Sequence, residues 1–409
     1  MAVASPSECC SGENPAILVI NCGSSSLKFS LLDAVTEEVL ANGLAEEVGT
    51  PGARFSLKTK EKGKVAHEIP GADHGHALEA MLEEIHGHPI VAVGHRIVHG
   101  GEYFSESVLV TDEVVELLRE VIPLAPLHNP AHILGIDAAR EKFPDLPHIA
   151  VFDTAFHQTL PPHAYRYAIP GELYEEHRVR RYGFHGTSHR YVSTEAAGIL
   201  GKPVDELQLL TAHLGNGSSV CAVKNGKSVD TSMGFTPLEG LVMGTRCGDI
   251  DANVHLYLSK RLGMSLEAVT DLFNKKSGLL GVSGLSNDMR TLMEAAKDGH
   301  AGAKLAIEIF CYRLAKTLLS LSAALERIDA IVFTGGIGEN AAFVRELTLS
   351  HLQVLGVRLD PELNASHGRG EGGRITSRDS AIPALVVGTN EELVIAREAG
   401  RFSSSLLKS

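Results

Sequence analysis

No GxxxxGK[ST] loop occurs anywhere in the 409 residues, so a P-loop nucleotide fold is excluded. The chain also lacks a basic balance: 37 Lys and Arg stand against 50 Asp and Glu, a net charge of -13 at pH 7. Nucleic acid and anionic membranes want a basic face, so neither is expected as a partner. Small anionic substrates stay allowed, because local Arg and Lys clusters override the mean. Cysteines are few, and the six present (Cys9, Cys10, Cys22, Cys221, Cys247, Cys311) show no metal-ligand spacing. They read as reduced thiols of a cytoplasmic protein. The first fourteen residues, MAVASPSECCSGEN, have neither a basic start nor an apolar run. We expect there a disordered extension (1–14), no secretory signal and no transmembrane span. What remains is ordinary globular composition, 44% hydrophobic and 21% charged, long enough for two or three domains with a sizeable core.

Hydrophobic periodicity predicts strands near 16–21, 27–33, 38–47, 53–59 and 64–69, a helix near 75–86 and a strand at 90–98. Helices near 112–121 and 131–142 lead to a strand at 148–152. The pattern then restarts. Strands fall near 207–213, 218–224 and 227–232, with helices near 252–262, 265–274 and 300–326. A strand at 329–333, a helix at 340–350, a strand at 384–388 and a helix at 391–400 close the series. Leu18-Val-Ile-Asn-Cys-Gly-Ser-Ser-Ser-Leu-Lys28 and Leu210-Thr-Ala-His-Leu-Gly-Asn-Gly-Ser-Ser-Val220 share one shape: strand, glycine, small polar residues, strand. This suggests a duplicated α/β domain with a cleft between the copies. The Pro- and His-rich stretch near 155–175 is the natural boundary. The run His367-Gly-Arg-Gly-Glu-Gly-Gly373 reads as a surface loop tip.

Three glycine turns suggest phosphate binding. At Gly23 to Ser26 the backbone is free to approach a ligand, and a nest of N–H groups attracts anions. Lys28 would share a strand face with Ser26 and Ser30; the alternative is a plain serine-rich hairpin with an exposed lysine. His213-Leu-Gly-Asn-Gly-Ser-Ser219 holds the common hairpin signal Asn216-Gly217, surrounded by His213, Gly215 and Ser218, which an ordinary turn does not need. In Ile331-Val-Phe-Thr-Gly-Gly-Ile-Gly-Glu-Asn340 a strand runs into glycines and a helix start, a place for phosphate or adenosine. Gly336, Gly338 and Ala341 also fit a dinucleotide fingerprint with Asp360 following, a weak match late in the chain.

Arg96, in Gly94-His-Arg-Ile-Val-His-Gly-Gly-Glu102, and Arg246, in Gly244-Thr-Arg-Cys-Gly-Asp249, sit in glycine-rich turns where an anion clamp is plausible; most arginines form surface salt bridges instead. His95 and His99 lack the glutamate of a zinc helix and lie on a strand, so no metal is assigned to them. Asp153 ends a strand, a common place for chemistry in α/β proteins. His185 and His189 flank Gly186, and His128 lies in the rigid turn Pro126-Leu-His-Asn-Pro130. A lone histidine such as His189 is usually structural. Glu391 follows Gly388-Thr-Asn390 at a strand-to-helix junction. Mg²⁺ sites recruit carboxylates at such junctions, though an acidic residue there also suits the helix dipole.

Nine segments in order, VINCGSSSLKFS, GHRIVHGGE, APLHNPA, VFDTAFH, RRYGFHGTSH, HLGNGSSV, DTSMGFTPLEGLVMGTRCGDID, VFTGGIGEN and TNEELVIARE, resemble the acetate kinase family from about residue 16 to about 400. Met289 between Asp288 and Arg290, and Ala252 after Gly-Asp-Ile-Asp, depart from the family pattern. The resemblance implies duplicated ribonuclease H-like (actin-like ATPase) domains, 15–157 and 158–390, with an interdomain cleft and the C-terminal helix 391–409 packed on the first. It implies transfer from ATP to acetate giving acetyl phosphate and ADP, with Mg²⁺ or Mn²⁺, in a cytoplasmic homodimer. By the same resemblance, Asn21 and Glu391 would hold Mg²⁺, and Ser24, Ser26 and Lys28 would face phosphates. Arg96 would grip the acetate carboxylate beside Val98, Leu127 and Pro237. Asp153 is an acid/base or positioning residue; His185 and Arg246, with His128 nearby, would stabilise the moving phosphoryl group. His213, Leu214, Gly215, Asn216 and Gly217, then Asp288, Met289 and Arg290, then Gly336, Ile337, Gly338, Glu339 and Asn340 would bind ATP.

Acetate needs no deprotonation at neutral pH, so direct in-line transfer is expected, with catalysis by positioning and charge neutralisation. Propionate or butyrate kinase is the nearest rival reading, with Val98 narrowing the pocket in favour of acetate. A nicotinamide oxidoreductase would use Gly336 and Asp360 and leave eight segments unexplained. A chaperone- or actin-like module would not need Arg96 and Arg246.

Overall fold

The computed structural model describes residues 14–406 apart from 60–62, 86–87, 127 and 369. The extension expected over 1–14 therefore lies outside the described residues, Asn14 excepted; its side-chain amide donates to Asp33 Oδ2 at 3.0 Å. The described residues form two compact units, one of 14–155 with 391–406 and the other of 156–390.

The first unit holds β1 (Ala16–Cys22), β2 (Ser26–Asp33), β3 (Val39–Glu46), β4 (Arg54–Thr59), β5 (Gly63–Glu68), β6 (Ile90–Ile97), β7 (Val108–Leu109) and β8 (His148–Phe152). Their order across the sheet is β5-β4-β3-β2-β1-β6-β8-β7. β1, β6 and β8 run parallel, whereas β1 to β5 pair antiparallel in succession. Ala16 to Ile20 are all buried, which is why β1 reads as an unbroken apolar run: helices cover both faces of a central strand. On one side the helix Asn129–Lys142 comes so close that a Cβ on Gly135 would lie 2.7 Å from Cys22 Cβ. The helix Glu391–Leu406 lies against β6, where a Cβ on Gly94 would meet Ile395 Cγ2 at 2.6 Å. These two glycines set helix-to-strand distances that no larger residue permits.

The second unit holds β9 (Gln208–Leu214), β10 (Ser218–Lys224), β11 (Lys227–Thr231), β12 (Ala330–Thr334), β13 (Gly373–Arg374) and β14 (Ala384–Val386) in the order β11-β10-β9-β12-β14-β13. The order β11-β10-β9-β12-β14 repeats β3-β2-β1-β6-β8, strand for strand and with the same directions. The hairpin likeness in the sequence is thus part of a duplication of five strands. One register differs: Cys22 pairs with Leu27, whereas Leu214 pairs with Ser218. The 21-residue helix Ala301–Leu321 buries Ala303, Ala306, Ile307, Phe310, Leu314 and Leu318 on one stripe, the 3.6-residue period of an amphipathic helix.

The sequence reading needs correction at several elements, among them one helix and the late glycine run. The helix Gly186–Leu200 was not anticipated, because Gly-Thr-Ser-His offers no apolar period at its start. The glycine run 367–373 is more than a loop tip: Gly373 is buried and opens β13, and a Cβ on Gly368 (φ +119) would lie 2.2 Å from the Glu339 carbonyl oxygen. The run packs against the helix Gly335–Asn340. Among the described residues no helix is long and apolar enough to cross a membrane.

Candidate active site

In the first unit the chemistry gathers at the C-terminal ends of the parallel strands, the edge where α/β sheets bind ligands. Arg96 is the next-to-last residue of β6 and Asp153 follows β8. The Asp153 backbone N–H donates to Ile97 O at 2.9 Å, which fixes the aspartate beside the arginine. Arg96 Nε donates to Asp153 Oδ1 at 3.1 Å and Nη2 to Oδ2 at 2.8 Å. Glu391 Oε2 stands 3.6 Å from the same Nη2. Burial works against the Arg96 charge, but the two carboxylates outweigh it and hold the guanidinium firmly protonated. Such a bidentate fork fixes orientation as well as charge, and among the described residues Nη1 is left without an acceptor.

Asn21, half-buried near the end of β1, pairs with Lys28. Ser26, Lys28 and Ser30 share a face of β2, and Ser30 Oγ donates to Glu392 Oε2 at 2.5 Å. Ser24 is exposed; a Cβ on Gly23 would come within 2.7 Å of Ser26 Oγ, which would have to turn aside. His128 precedes the helix Asn129–Lys142, its ring 6.5 Å from that of His132. His132 is buried. Burial, then the Arg96 charge, push its pKa down to about 4. Val98, half-buried, follows β6. Leu127 lies outside the described residues.

In the second unit His185 occupies the left-handed region (φ 57°, ψ 24°) just before the helix Gly186–Leu200. Few non-glycine residues adopt it, and such outliers cluster at functional sites. Its ring stacks on that of His213, centroids 4.3 Å apart. His185 Nδ1 lies 2.9 Å from Ser219 Oγ, and His213 Nδ1 lies 2.8 Å from Ser188 Oγ, which also meets Thr389 Oγ1 at 2.8 Å. Arg246 Nη1 donates to the carbonyl of Pro237 at 3.3 Å. Among the described residues no carboxylate pairs with this guanidinium, and burial pulls its pKa down. Gly217 joins these groups: a Cβ there would sit 3.4 Å from both Arg246 Nη1 and His185 Nε2. Two nitrogens of opposite chain segments thus converge on one point that only hydrogen occupies. A largely buried cation without a counter-ion is costly, and an anionic ligand at that point relieves the cost.

The expected nucleotide segments divide. Asn216 is tied in place: its carbonyl accepts from Gly244 N at 3.0 Å, and its Oδ1 accepts from Asn287 Nδ2 at 3.1 Å. Gly244 has no room for a side chain, since a Cβ would lie 2.1 Å from Asn216 Oδ1. Gly215 N donates to Gly217 O at 3.0 Å, closing the hairpin. Gly336 is exposed with open space around it, so no packing demand explains the glycine. Glu339 Oε1 instead accepts from Gly335 N at 3.0 Å and Thr389 N at 3.1 Å, a structural use of that carboxylate. Asn340 Nδ2 donates back to Gly336 O at 2.9 Å. Ile337 is half-buried against the core and Gly338 is buried. Leu214 and Met289 are core residues, 0% and 4% exposed, so their side chains are not ligand-facing. Asp288 caps the helix Met289–Lys297, accepting from Thr291 N at 2.9 Å; Arg290 beside it is exposed. Asp360 is likewise a helix cap, accepting from Glu362 N and Leu363 N, which removes the acidic partner of the dinucleotide fingerprint. Sequence reasoning missed Ser188, Ser219, Asn287 and Thr389. Ser188 and Ser219 sit inside quoted motifs, but small hydroxyl residues carry no signal of which ring they will meet.

Two sheets of one strand order, each opening on a glycine-turn hairpin, define a phosphotransferase of the actin-like ATPase fold. The chain belongs to the acetokinase family, which it matches over residues 16–397. It is 56% identical over 388 residues to an acetate kinase of Ectopseudomonas mendocina (strain ymp), covering 93% of this chain and 97% of that one. Among solved structures it resembles a propionate kinase from Francisella tularensis (TM-score 0.89, 47% identity, 95% of this chain and 99% of that). A Porphyromonas gingivalis acetate kinase is similarly close (TM-score 0.89, 44% identity, 94% and 98%).

Proposed function

We propose that this chain transfers the γ-phosphoryl group of ATP to acetate, reversibly, giving acetyl phosphate and ADP. The observation that carries the reading is the point beside Gly217, where Arg246 Nη1 and His185 Nε2 converge and, among the described residues, no carboxylate neutralises the arginine. The reaction brings two anions together, so its barrier is electrostatic, and preorganised donors at the transferring group lower it. In this reading Arg246 and His185 hold the phosphoryl oxygens in flight. Arg96 takes the acetate carboxylate through Nη1, and Val98, two residues on, bounds the methyl. Asp153 acts on the arginine: both its oxygens already accept from Arg96, so it positions the guanidinium and removes no proton. Ser24, Ser26 and Lys28, His213 to Gly217, and Gly336 to Asn340 take the nucleotide.

Asn21 and Glu391 offer hard oxygen donors of the kind Mg²⁺ accepts, one carboxylate and one amide, and among the described residues the Asn21 amide has no protein partner. Mg²⁺ keeps several waters and needs few protein ligands, so this pair fits; bound there, the ion would offset the charge of the nucleotide phosphates. A homodimer and a cytosolic location belong to the same reading. The helix Asn253–Leu262 buries none of its residues and leaves Leu256, Tyr257 and Leu262 exposed around its circumference, apolar surface that a second copy could cover. The four described cysteines are free thiols.

Incubation with MgATP, hydroxylamine and straight-chain C1 to C4 acids tests the function, because hydroxylamine traps acyl phosphates as hydroxamates. Hydroxamate formed best from acetate is the expected result, and none from any acid would overturn the reading. A maximum at propionate would favour the second reading, which the propionate kinase likeness motivates.

A further inference from the structure

Behind the His185 ring lies a chain of buried hydroxyls and imidazoles that the proposed transfer does not itself use. Ser219 Oγ lies 2.9 Å from His185 Nδ1 and 2.8 Å from His189 Nε2. His189 Nδ1 in turn lies 2.7 Å from Thr211 Oγ1, whose other neighbour is the Cys221 carbonyl at 3.4 Å. His189, Ser219 and Thr211 are each 0% exposed. We propose that Ser219, His189 and Thr211 are positioning residues for His185: their hydrogen bonds hold the ring by Nδ1 so that a proton stays on Nε2, the nitrogen that shares the Gly217 point with Arg246.

A serine hydroxyl has one proton, so it can donate to only one of the two imidazole nitrogens it bridges, and at least one of them must be an N–H that donates to it. Burial holds the His189 pKa well below its ordinary value, so that ring is neutral and carries a single N–H. When His185 is neutral, the chain runs outward: Thr211 donates to His189 Nδ1, His189 Nε2–H donates to Ser219, and Ser219 donates to His185 Nδ1. The remaining His185 proton is then on Nε2. When His185 is cationic, the chain reverses. His185 Nδ1–H donates to Ser219, Ser219 to His189 Nε2, and His189 Nδ1–H to Thr211, whose own hydrogen turns toward the Cys221 carbonyl. Nε2 keeps its proton in this state too. The third arrangement, neutral His185 with its proton on Nδ1, would aim a lone pair at an anion and is disfavoured once phosphate is present. A hydroxyl bridge reverses where a carboxylate could not, since a carboxylate only accepts. The device therefore keeps an N–H donor at the Gly217 point on both sides of the His185 titration.

This inference rests on the role proposed for His185, and the experiment separates the two. Ser219→Ala and His189→Leu should lower kcat about tenfold or more, as a misplaced imidazole tautomer does elsewhere, while the KM values for ATP and acetate stay near those of the parent. The loss should grow above the His185 pKa. His189→Gln, whose amide can still donate to Ser219, should recover most of the activity lost in His189→Leu. In a His185→Ala background, Ser219→Ala should cost nothing further. Selective ¹⁵N-histidine spectra at alkaline pH in the presence of ADP and inorganic phosphate, with His185 assigned by difference from His185→Ala, should show its Nε2 protonated and Nδ1 bare. If His185→Ala lowers kcat but Ser219→Ala leaves kcat and its pH profile unchanged, the relay is wrong and the role of His185 stands. A protonated Nδ1 with bare Nε2 would overturn the relay directly. If His185→Ala itself has no effect, the role of His185 fails and the relay with it. Melting curves of each folded variant show whether an activity loss is a stability loss; a kcat deficit that tracks only the loss of native protein also overturns the proposal.

Discussion

Replacing Gly217 by alanine separates function from folding more cleanly than any other single change. The Gly217 backbone does not lie in the left-handed region, so alanine fits without strain. Such a substitution stabilises by about 0.4–1 kcal/mol through the unfolded chain. The nearest atoms to the new Cβ are Arg246 Nη1, His185 Cε1 and His185 Nε2, each at 3.4 Å, ordinary contact distances. The methyl would nevertheless stand where the reaction needs an oxygen. A charge-assisted acceptor approaches nitrogen to about 2.7–2.9 Å, and a carbon already in contact with both nitrogens prevents one oxygen from reaching the pair. Losing one preorganised donor costs about 10²–10³ in rate, or about 2.7–4 kcal/mol of barrier. Gly217→Ala should therefore fall at least about a hundredfold in kcat, with a melting temperature equal to or above that of the parent. Initial rates by hydroxamate trapping and a thermal melt on the same sample decide the matter. A folded variant within about threefold of the parent rate, under 1 kcal/mol of barrier, would refute the assignment of that point to the moving phosphoryl group.

Arg96→Ala should raise the KM for acetate far more than that for ATP; equal increases in steady-state kinetics would contradict its assignment to the carboxylate. Chelation of divalent ions should stop acyl phosphate formation, and Glu391→Gln should raise the Mg²⁺ concentration needed for half-maximal rate; an unchanged Mg²⁺ titration would remove Glu391 from the ion. Stability should fall on acidification. His132 and His99 titrate near pH 4 and 3 in the fold, from an ordinary value of 6.5, and His95 and His189 are also held low, each chiefly by burial. Folded pKa values below the unfolded ones mean that the unfolded chain binds the extra protons. The stabilisation is full above pH 6.5 and is lost as pH falls toward the folded values, by about 1.4 kcal/mol per pH unit for each histidine. Urea midpoints should drop between pH 7 and 5, and less steeply in His132→Leu; parallel slopes would show that His132 does not contribute.

The sequence makes the duplication visible because the central strand of each sheet is buried on both faces and must be apolar, and because each hairpin turn joins glycine to small polar residues. Arg96, His185 and Arg246 are legible because charged or polar residues in glycine-rich turns rarely serve packing, and Asp153 because it follows the end of a buried strand. Other features escape for physical causes. The helix Gly186–Leu200 starts from a left-handed histidine and runs through Gly-Thr-Ser-His, whose propensities oppose a helix; burial of Val192, Ala196 and Ala197 overrides them. Leu214 and Met289 sit within motifs yet point into the core, since an element that carries a site on one face must bury the other. Asp288 and Asp360 look like ligand groups but cap helices, a use that needs only a position before an N-terminus. Ser219 is invisible because its role is set by two histidines 34 and 30 residues away.

The account stands on cationic and hydrogen-bonding groups that meet the phosphoryl group in flight. A crystal structure with ADP, fluoroaluminate and acetate tests it most directly. The account predicts Arg246 Nη1 and His185 Nε2 both within about 3 Å of the fluoroaluminate, beside Gly217. Either nitrogen turned away from it would contradict the account.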